Sequence, residues 1–233
     1  MKSKSFKLKV IIFSILIGIA VGIIINSSIK NRNIIETNNK AEIISNKIKE
    51  LKKQQEKDKE IKKQQQTKLQ QVKLEKTWKI GYDEFFEKKY IQAIKTERQV
   101  IQEDSTFYKA YAVEGIALAY SGHFKEGIEQ IDLSLKLKPN YGYARFNKAL
   151  ANELYGHYDE AIIWYKKDLD VEKFEWSYYG IASIYGRKGD IENTIKYLKQ
   201  AIDINTSVKD VAKDEMDFNN VRKYKEFNDL IIK

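Results

Sequence analysis

Few side chains in this sequence are of the types that most often carry out chemistry. The chain contains two histidines, His123 and His157, and no cysteine, which excludes disulfides, a cysteine nucleophile and thiolate metal ligands. Each histidine follows a glycine, and the two glycines lie 34 residues apart. If that spacing is a structural repeat, the histidines are one repeat apart, too far to share a metal ion whose ligand bonds are about 2.1 Å. We expect exposed turn histidines and no metal site.

Adjacent acids are the other candidates for catalysis, at Asp159/Glu160 and Asp214/Glu215. Neighbouring residues of a helix do not share a face, so neither pair can act together on one substrate atom. The sequence also lacks a Gly-rich phosphate loop, an H-E-x-x-H motif and a G-x-S-x-G motif. We therefore predict no catalytic residue and no cofactor, and that the protein is not an enzyme.

The elements that position these residues form a repeat. The turn SGHF recurs as YGHY, so that Gly122 and Gly156 lie 34 residues apart, and Gly81 precedes Gly115 by the same distance. A fourth turn, KGDI, places Gly189 one residue short of this register. Helical patterns flank each turn, and a fixed period of this length predicts stacked pairs of helices, because one pair cannot bury its apolar face alone.

At these positions the chain resembles the tetratricopeptide (TPR) family. In the second unit the family's aromatic, small and proline positions fall on Tyr111, Gly115 and Pro139. Matching residues of the other units are Ile80, Gly81, Tyr90 and Ala93, then Ala149, Gly156, Tyr158, Ala161 and Tyr165, and finally Ala182, Tyr185, Gly189 and Ala201. Where the family usually has alanine, this chain departs to Gly127, Ser134 and Asp168.

The resemblance covers about residues 77–205 and implies an all-α, TPR-like α-solenoid with four repeats over residues 77–206. Residues 207–233 have apolar side chains spaced mainly by three and four, which predicts a helix with one apolar stripe. This segment resembles the one that closes bacterial TPR arrays, so we expect a C-terminal capping helix over the apolar face of the last repeat.

The N-terminus predicts a membrane anchor. Residues 1–9 form a basic tail with four lysines, and residues 10–29 form an apolar stretch long enough to cross a bilayer as a helix. No clean signal-peptidase site follows the stretch, which favours an uncleaved signal-anchor helix over a cleaved signal peptide. With the basic tail in the cytoplasm, we expect a single-pass protein of the cell membrane whose C-terminal domain is extracytoplasmic.

Residues 30–76 predict a charged helical stalk without glycine or proline. Ile44, Ile48, Leu51, Leu69 and Val72 fit one heptad frame, but the core places between Leu51 and Leu69 are polar: Gln55, Asp58, Lys62 and Gln65. This pattern predicts a weak coiled coil at most, and therefore a weak homo-oligomer through the stalk. The stalk carries 14 Lys or Arg against 7 Asp or Glu, whereas residues 77–233 carry 24 against 26. The near-neutral array argues against nucleic acid as a partner.

In the TPR family the inner helix of each repeat lines a groove that binds partners, and the resemblance implies the same use here. The positions carried over are Trp78, Tyr82, Phe86, Ile116, Tyr120, Tyr143, Phe146, Asn147, Leu150, Trp176, Tyr179 and Arg187. Aromatic and arginine side chains are common anchors of protein interfaces. Trp78, Tyr82 and Tyr143 also occupy places where family members that clamp carboxylates have basic or amide residues, so we do not expect such a clamp.

The resulting hypothesis is a membrane-anchored TPR protein that binds a protein or peptide at the membrane. Two alternatives remain open from the sequence. The first is a structural envelope assembly factor that oligomerises through its stalk, and the second is a cell-envelope hydrolase.

Overall fold

The computed structural model describes the backbone of residues 2–232 and the side chains of Phe6 and residues 9–232. Within these residues the protein is all-α and contains no β-strand. The chain divides into two compact units, one ending at Lys68 and the other beginning at Leu69. The helices are α1 (Lys2–Phe86), α2 (Tyr90–Glu103), α3 (Tyr108–Tyr120), α4 (Phe124–Leu137), α5 (Gly142–Leu154), α6 (Tyr158–Leu169), α7 (Glu175–Lys188), α8 (Ile191–Ile204), α9 (Val208–Asp214) and α10 (Lys225–Ile232), with a 3₁₀ turn at Met216–Phe218.

The first unit is a single helical segment formed by α1. Its apolar side chains are exposed, as Phe13 and Ile23 illustrate at 65% and 64%. In the described part of the chain, α1 is the one helix long and apolar enough to cross a membrane. Helix α1 continues without a break through the Lys- and Gln-rich stretch that follows, whose side chains are exposed as well.

The second unit consists of stacked helix pairs. The pairs are the last part of α1 with α2, then α3 with α4, α5 with α6 and α7 with α8. Helices α3 and α4 cross at two glycines: a Cβ on Gly115 would lie 2.6 Å from the carbonyl oxygen of Gly127, and a Cβ on Gly127 would lie 2.6 Å from the carbonyl oxygen of Gly115. The glycine that replaces the family's usual alanine is therefore needed for this close crossing.

The core continues from one pair to the next. Ile116 and Ile131 are fully buried where α3 and α4 meet α5, and Tyr165 is buried between α5 and α7. Each side chain of this kind contacts residues of the following pair, so no pair has a closed core of its own. This arrangement is the one expected of a solenoid, in which stability comes largely from contacts between neighbouring units.

The C-terminal segment covers the last pair, but it is not one helix. Where the sequence predicts a single capping helix, the structure has α9, the 3₁₀ turn and α10. The Arg222 guanidinium donates hydrogen bonds to the carbonyl oxygens of Ala212 at 3.3 Å and Glu215 at 2.6 Å, which holds the chain in a turn. This fold buries Phe218 and Phe227 fully against α7 and α8. A single straight helix would place the two rings at different heights along its axis.

The turn between α1 and α2 has the backbone of the later turns without their glycine. Lys88 has a φ of 62°, and the corresponding Gly122 and Gly156 have φ values of 91° and 77°. The amide of Lys88 donates to the carbonyl of Phe85 at 2.9 Å, as that of Gly122 donates to Ala119 at 3.1 Å. Lys88 is therefore held in a left-handed conformation that costs an L-residue about 1–2 kcal/mol.

We predict that Lys88→Gly stabilises the second unit by about 1 kcal/mol, because glycine adopts this conformation without the clash of a Cβ. Urea unfolding of the full chain in detergent, followed by circular dichroism, measures the change. Lys89→Gly is the matched control, since Lys89 has a φ of −87°. The strain assignment is wrong if the two variants are equally stable.

A carboxyl group is buried between α1 and α2. Glu97 is fully buried, and neither of its carboxylate oxygens has a hydrogen-bond partner among the described residues. It fits only because residue 81 is glycine: a Cβ there would collide with the carboxyl group. Burial raises the pKa of Glu97 from 4.5 to about 10, and repulsion from Glu114 and Glu84 adds to this rise.

Between pH 4.5 and about 10 the folded chain keeps a proton on Glu97 that the unfolded chain loses. The free energy of unfolding therefore falls as the pH rises, by at most about 1.4 kcal/mol per pH unit from this group. We predict that Glu97→Gln, which stays neutral, reduces this slope and is more stable than the wild type at neutral and alkaline pH. Urea midpoints measured across this range test it.

The control for this pH dependence is Glu129→Gln, because Glu129 is exposed on α4. This variant should keep the wild-type slope. An unchanged slope in Glu97→Gln would show that Glu97 titrates normally and that its burial has no effect on stability.

Candidate functional site

The inner helices of the pairs enclose an aromatic groove in the second unit. Its cavity of about 470 Å³ lies among the end of α1, the turn after it, α3, α5 and the start of α7. The residues that line it are Tyr82, Phe85, Phe86, Lys88, Tyr90, Tyr120, Tyr143, Phe146, Asn147, Leu150, Phe174 and Trp176. We call this surface the aromatic groove.

One wall of the aromatic groove is a ladder of rings on α1. Trp78, Tyr82 and Phe86 are spaced by four residues and so share one face of the helix. Their ring centroids are 5.5 Å and 4.7 Å apart in sequence order. Tyr82 also contacts Tyr143 of α5 at 5.7 Å. The wall is thus held from two helices, and Phe86 remains 59% exposed at its end.

A second group of rings closes one end of the aromatic groove. Phe85, Tyr90 and Tyr120 come from α1, α2 and α3, with centroid separations of 5.3 to 5.8 Å. At the other side Phe146 of α5 meets Phe174, the residue before α7, at 5.0 Å. Packing between aromatic rings fixes the walls without filling the space between them.

The floor of the aromatic groove contains polar groups that lack partners. Asn147 is 2% exposed, and its amide nitrogen has no hydrogen-bond partner of normal geometry within residues 2–232. The hydroxyl of Tyr143 is buried in the same way. Burial raises the pKa of Tyr143, and a weak hydrogen bond with the side chain of Asn147 opposes part of this rise. Both groups are neutral at ordinary pH and are hydrogen-bond donors.

Charge plays little part in the aromatic groove. Lys88 is the one charged residue among the described residues that line it. A buried unpaired donor costs about 1–3 kcal/mol, so Asn147 is a cost to the fold unless something in the groove accepts its hydrogen bond. The groove fits an apolar ligand with a carbonyl group and has no cluster of cations for a carboxylate.

Four residues that the resemblance assigns to the groove lie elsewhere. Ile116 is 0% exposed in the core, and Tyr179 packs on Phe218 of the C-terminal segment at 5.7 Å. Trp78 belongs to the ladder on α1 but does not line the cavity, and the Nζ of Lys109 lies 4.7 Å from its ring centroid. These side chains support the groove or the core instead of facing a ligand.

Arg187 is the fourth, and it fastens the C-terminal segment. Its Nη2 donates to the Oδ2 of Asp217 at 2.6 Å, and its Nη1 donates to the hydroxyl of Tyr158 at 3.0 Å. The hydroxyl of Ser183 donates to the same Asp217 oxygen at 2.6 Å, and its oxygen lies 3.0 Å from the carboxyl group of Glu153. The network ties α5, α6 and α7 to the segment that covers the last pair, so its role is structural.

Sequence reasoning missed Phe85, Lys88, Tyr90 and Phe174. Lys88, Tyr90 and Phe174 lie in turns or at helix starts, where a repeat position does not say which way a side chain points. Phe85 lies beside Phe86 but points to a different part of the wall, against Tyr120. A sequence signal was present for Tyr90 and Phe174, because aromatic residues beside turns that flank an aromatic helix face can extend that face.

The histidines and acids considered for chemistry are separated. His123 and His157 precede α4 and α6 in different turns, and the ring of His157 packs on Phe124 at 4.9 Å. Asp159 pairs with Lys188 at 2.9 Å. In the described part of the chain, no group of three His, Cys, Asp or Glu residues is arranged to hold a metal ion.

Comparison with known proteins gives matches in the repeat region. A family model described as tetratricopeptide repeat matches residues 177–207. An uncharacterised protein of Methanocaldococcus jannaschii is 35% identical over 63 residues, which is 27% of this chain and 73% of that protein.

Among solved structures, a thermophilic TPR protein of Thermus thermophilus is similar with a TM-score of 0.55 at 14% identity, over 60% of this chain and 78% of that one. A crystal structure of MamA gives 0.50 at 24% identity, over 60% and 81%. MamA of Desulfovibrio magneticus RS-1 gives 0.50 at 18%, over 68% and 93%.

At these identities the solved structures establish the fold, and the family-model match and the stacked helix pairs agree with it. Residues 177–207 therefore match the tetratricopeptide repeat family, and the helix pairs of the second unit have that family's fold.

Proposed function

We propose that this protein is a membrane-anchored TPR module that binds a segment of another protein in the aromatic groove. The observation that carries the proposal is a groove walled by aromatic rings whose lining includes two buried donors, on Asn147 and Tyr143, that make no hydrogen bond of normal geometry with the described residues. A peptide offers what both features need, since its backbone carbonyls accept hydrogen bonds and its apolar side chains fill spaces between rings.

The chemistry of the groove selects the kind of peptide. A free C-terminal carboxylate would be desolvated beside neutral tyrosines, with Lys88 as the single cation in the described lining. An internal, extended segment with apolar or aromatic side chains avoids this cost. Each aromatic anchor that such a segment buries can contribute about 2 kcal/mol or more to binding.

The proposed membrane anchor determines where the groove meets its partners. The apolar stretch of α1 holds the array near the membrane, which raises the effective concentration of the groove for partners at the same surface. The four lysines of residues 1–9 favour a cytoplasmic N-terminus. The array then lies outside the cytoplasm, in the cell envelope. TPR scaffolds are generally not enzymes, and the family match indicates no catalytic function.

We predict that Asn147→Leu weakens peptide binding by about tenfold and leaves the fold as stable or more stable. Leucine keeps the volume but removes a hydrogen bond to the ligand, and it also removes the unpaired donor from the free protein. The probe is a peptide selected from a random phage-displayed library on the full chain in nanodiscs. Its dissociation constant is measured by fluorescence anisotropy, and stability by urea unfolding.

Two further variants locate the binding surface. Phe86→Ala shortens an exposed ring in the groove and should weaken binding by at least tenfold, an effect of about 1.4 kcal/mol. Ile163→Ala removes a side chain of similar exposure from α6, outside the groove, and should leave the affinity unchanged. Selected peptides that bind all three variants as tightly as the wild type would place the binding site elsewhere.

We also predict the orientation of the protein in the membrane. In intact cells whose outer layers are permeable to protease, digestion from outside should remove residues 77–233 while a cytoplasmic control protein survives. The reason is that the charge of the N-terminal tail holds that end in the cytoplasm. Protection of the array until the cells are lysed would reverse the orientation, but it would leave the peptide-binding proposal intact.

A further inference from the structure

The part of α1 that follows the apolar span carries a short apolar stripe with no partner among the described residues. Ile34, Ile44, Ile48 and Leu51 lie in one heptad frame and are 49%, 59%, 47% and 57% exposed. Thr37 and Ala41 fill the two remaining a and d positions and are also exposed. The hydroxyl of Thr37 donates to the carbonyl oxygen of Asn33 at 2.7 Å, so this polar group is already satisfied within the helix. We call residues 34–51 on this face the stalk stripe.

The stalk stripe is bounded at both ends. The preceding d position is Lys30, and the following a and d positions are Gln55 and Asp58. The stripe thus covers 18 residues, which is about 27 Å of helix. Apolar residues at a and d positions bury their side chains against a second helix. The length suits one partner helix of similar size and does not continue into a long coiled coil.

The flanks of the stalk stripe are basic. In the same frame the g positions beside it include Lys40 and Lys47, and an e position is Lys52. Side chains at e and g meet those of a partner helix and decide which partner pairs. A partner with Glu or Asp at these positions would pair with the lysines, and one with Lys or Arg would be repelled.

A second copy of this chain is a poor partner in either orientation. In a parallel pair Lys47 of one copy faces Lys52 of the other, and this contact occurs twice by symmetry. In an antiparallel pair that overlaps the stripes, Lys40 faces Lys47. A lipid surface is also a poor fit, because α1 continues unbroken from the span through the stripe and would have to bend to lie on a membrane.

We infer that the stalk stripe binds an amphipathic helix of another protein whose flanking positions are acidic. The stripe supplies apolar contact, and the three lysines select the partner against self-pairing. This surface belongs to the first unit and does not depend on the aromatic groove. It gives the stalk a specific function, where its sequence alone predicts a charged spacer or a weak homo-oligomer.

The test uses two synthetic peptides and the full chain in detergent micelles. Both are amphipathic helices with Leu and Ile at the a and d positions; one has Glu at every e and g position and the other has Lys. We expect the Glu peptide to bind at least about tenfold more tightly at low salt, with the difference reduced at high salt. Fluorescence anisotropy of the labelled peptides measures both affinities.

Matched variants of the chain distinguish binding at the stalk stripe from non-specific binding to exposed apolar residues. Ile44→Asn should weaken binding of the Glu peptide by at least about tenfold, whereas Ile43→Asn should not, although Ile43 is 65% exposed on another face. Circular dichroism confirms that both remain helical. Phe86→Ala in the groove should bind the Glu peptide as the wild type does, which distinguishes failure here from failure of the proposed groove.

The selection against self-pairing is tested by charge reversal. Lys47→Glu turns the repulsive contacts of either orientation into attractive ones, so sedimentation equilibrium should show stronger self-association than in the wild type. Lys53→Glu makes the same change of charge at the f position, away from the stripe, and should not. Equal binding of the two peptides, or a wild-type chain that is already a dimer dissociated by Ile44→Asn, would overturn the inference.

Discussion

The repeat array depends on close packing of neighbouring helices, which at the crossing of α3 and α4 leaves no room for a side chain. Between α3 and α4 this contact is glycine against glycine, with each Cα facing the other's carbonyl oxygen. Between repeats the fit is equally tight, since a Cβ at Gly180 would fall on the ring of Tyr165. Such contacts set how closely neighbouring helices pack, and the inner helices α1, α3, α5 and α7 all contribute residues to the same groove.

The two ends of the array differ. The last pair has an apolar face with no following repeat, and Phe218 and Phe227 cover it. The first pair takes the last part of α1 as its inner helix, and Leu74 there is buried with Val100 of α2. The buried carboxyl of Glu97 also lies in this first pair, where its raised pKa makes stability depend on pH.

The period in the sequence was enough to predict stacked helix pairs, because glycine recurs in three of the four turns, and Lys88 adopts the same left-handed conformation in the first. The resemblance to the tetratricopeptide family, and not the period itself, assigned Tyr82, Tyr120, Tyr143 and Asn147 to the groove, and all four line the cavity. Neither the period nor the resemblance could show which of the side chains assigned to the groove are already bound by other residues of the chain. Arg187 is bound by Asp217, a residue 30 positions away in a segment outside the repeats. A residue's position within a repeat predicts which side of the helix its side chain lies on. Whether that side chain is already bound by another residue depends on contacts from elsewhere in the chain.

The array and the stalk differ in the interactions with which each can bind a partner. The array is nearly neutral, and its groove offers rings and neutral donors, so shape and hydrogen bonding decide what fits there. The stalk carries the excess of positive charge on a single exposed helix, where apolar contact is limited to 18 residues and the sign of the flanking charges decides the partner. Salt weakens recognition by exposed charges far more than recognition in a buried apolar groove. Ionic strength is therefore the variable that distinguishes partners of the stalk from partners of the array without altering a residue.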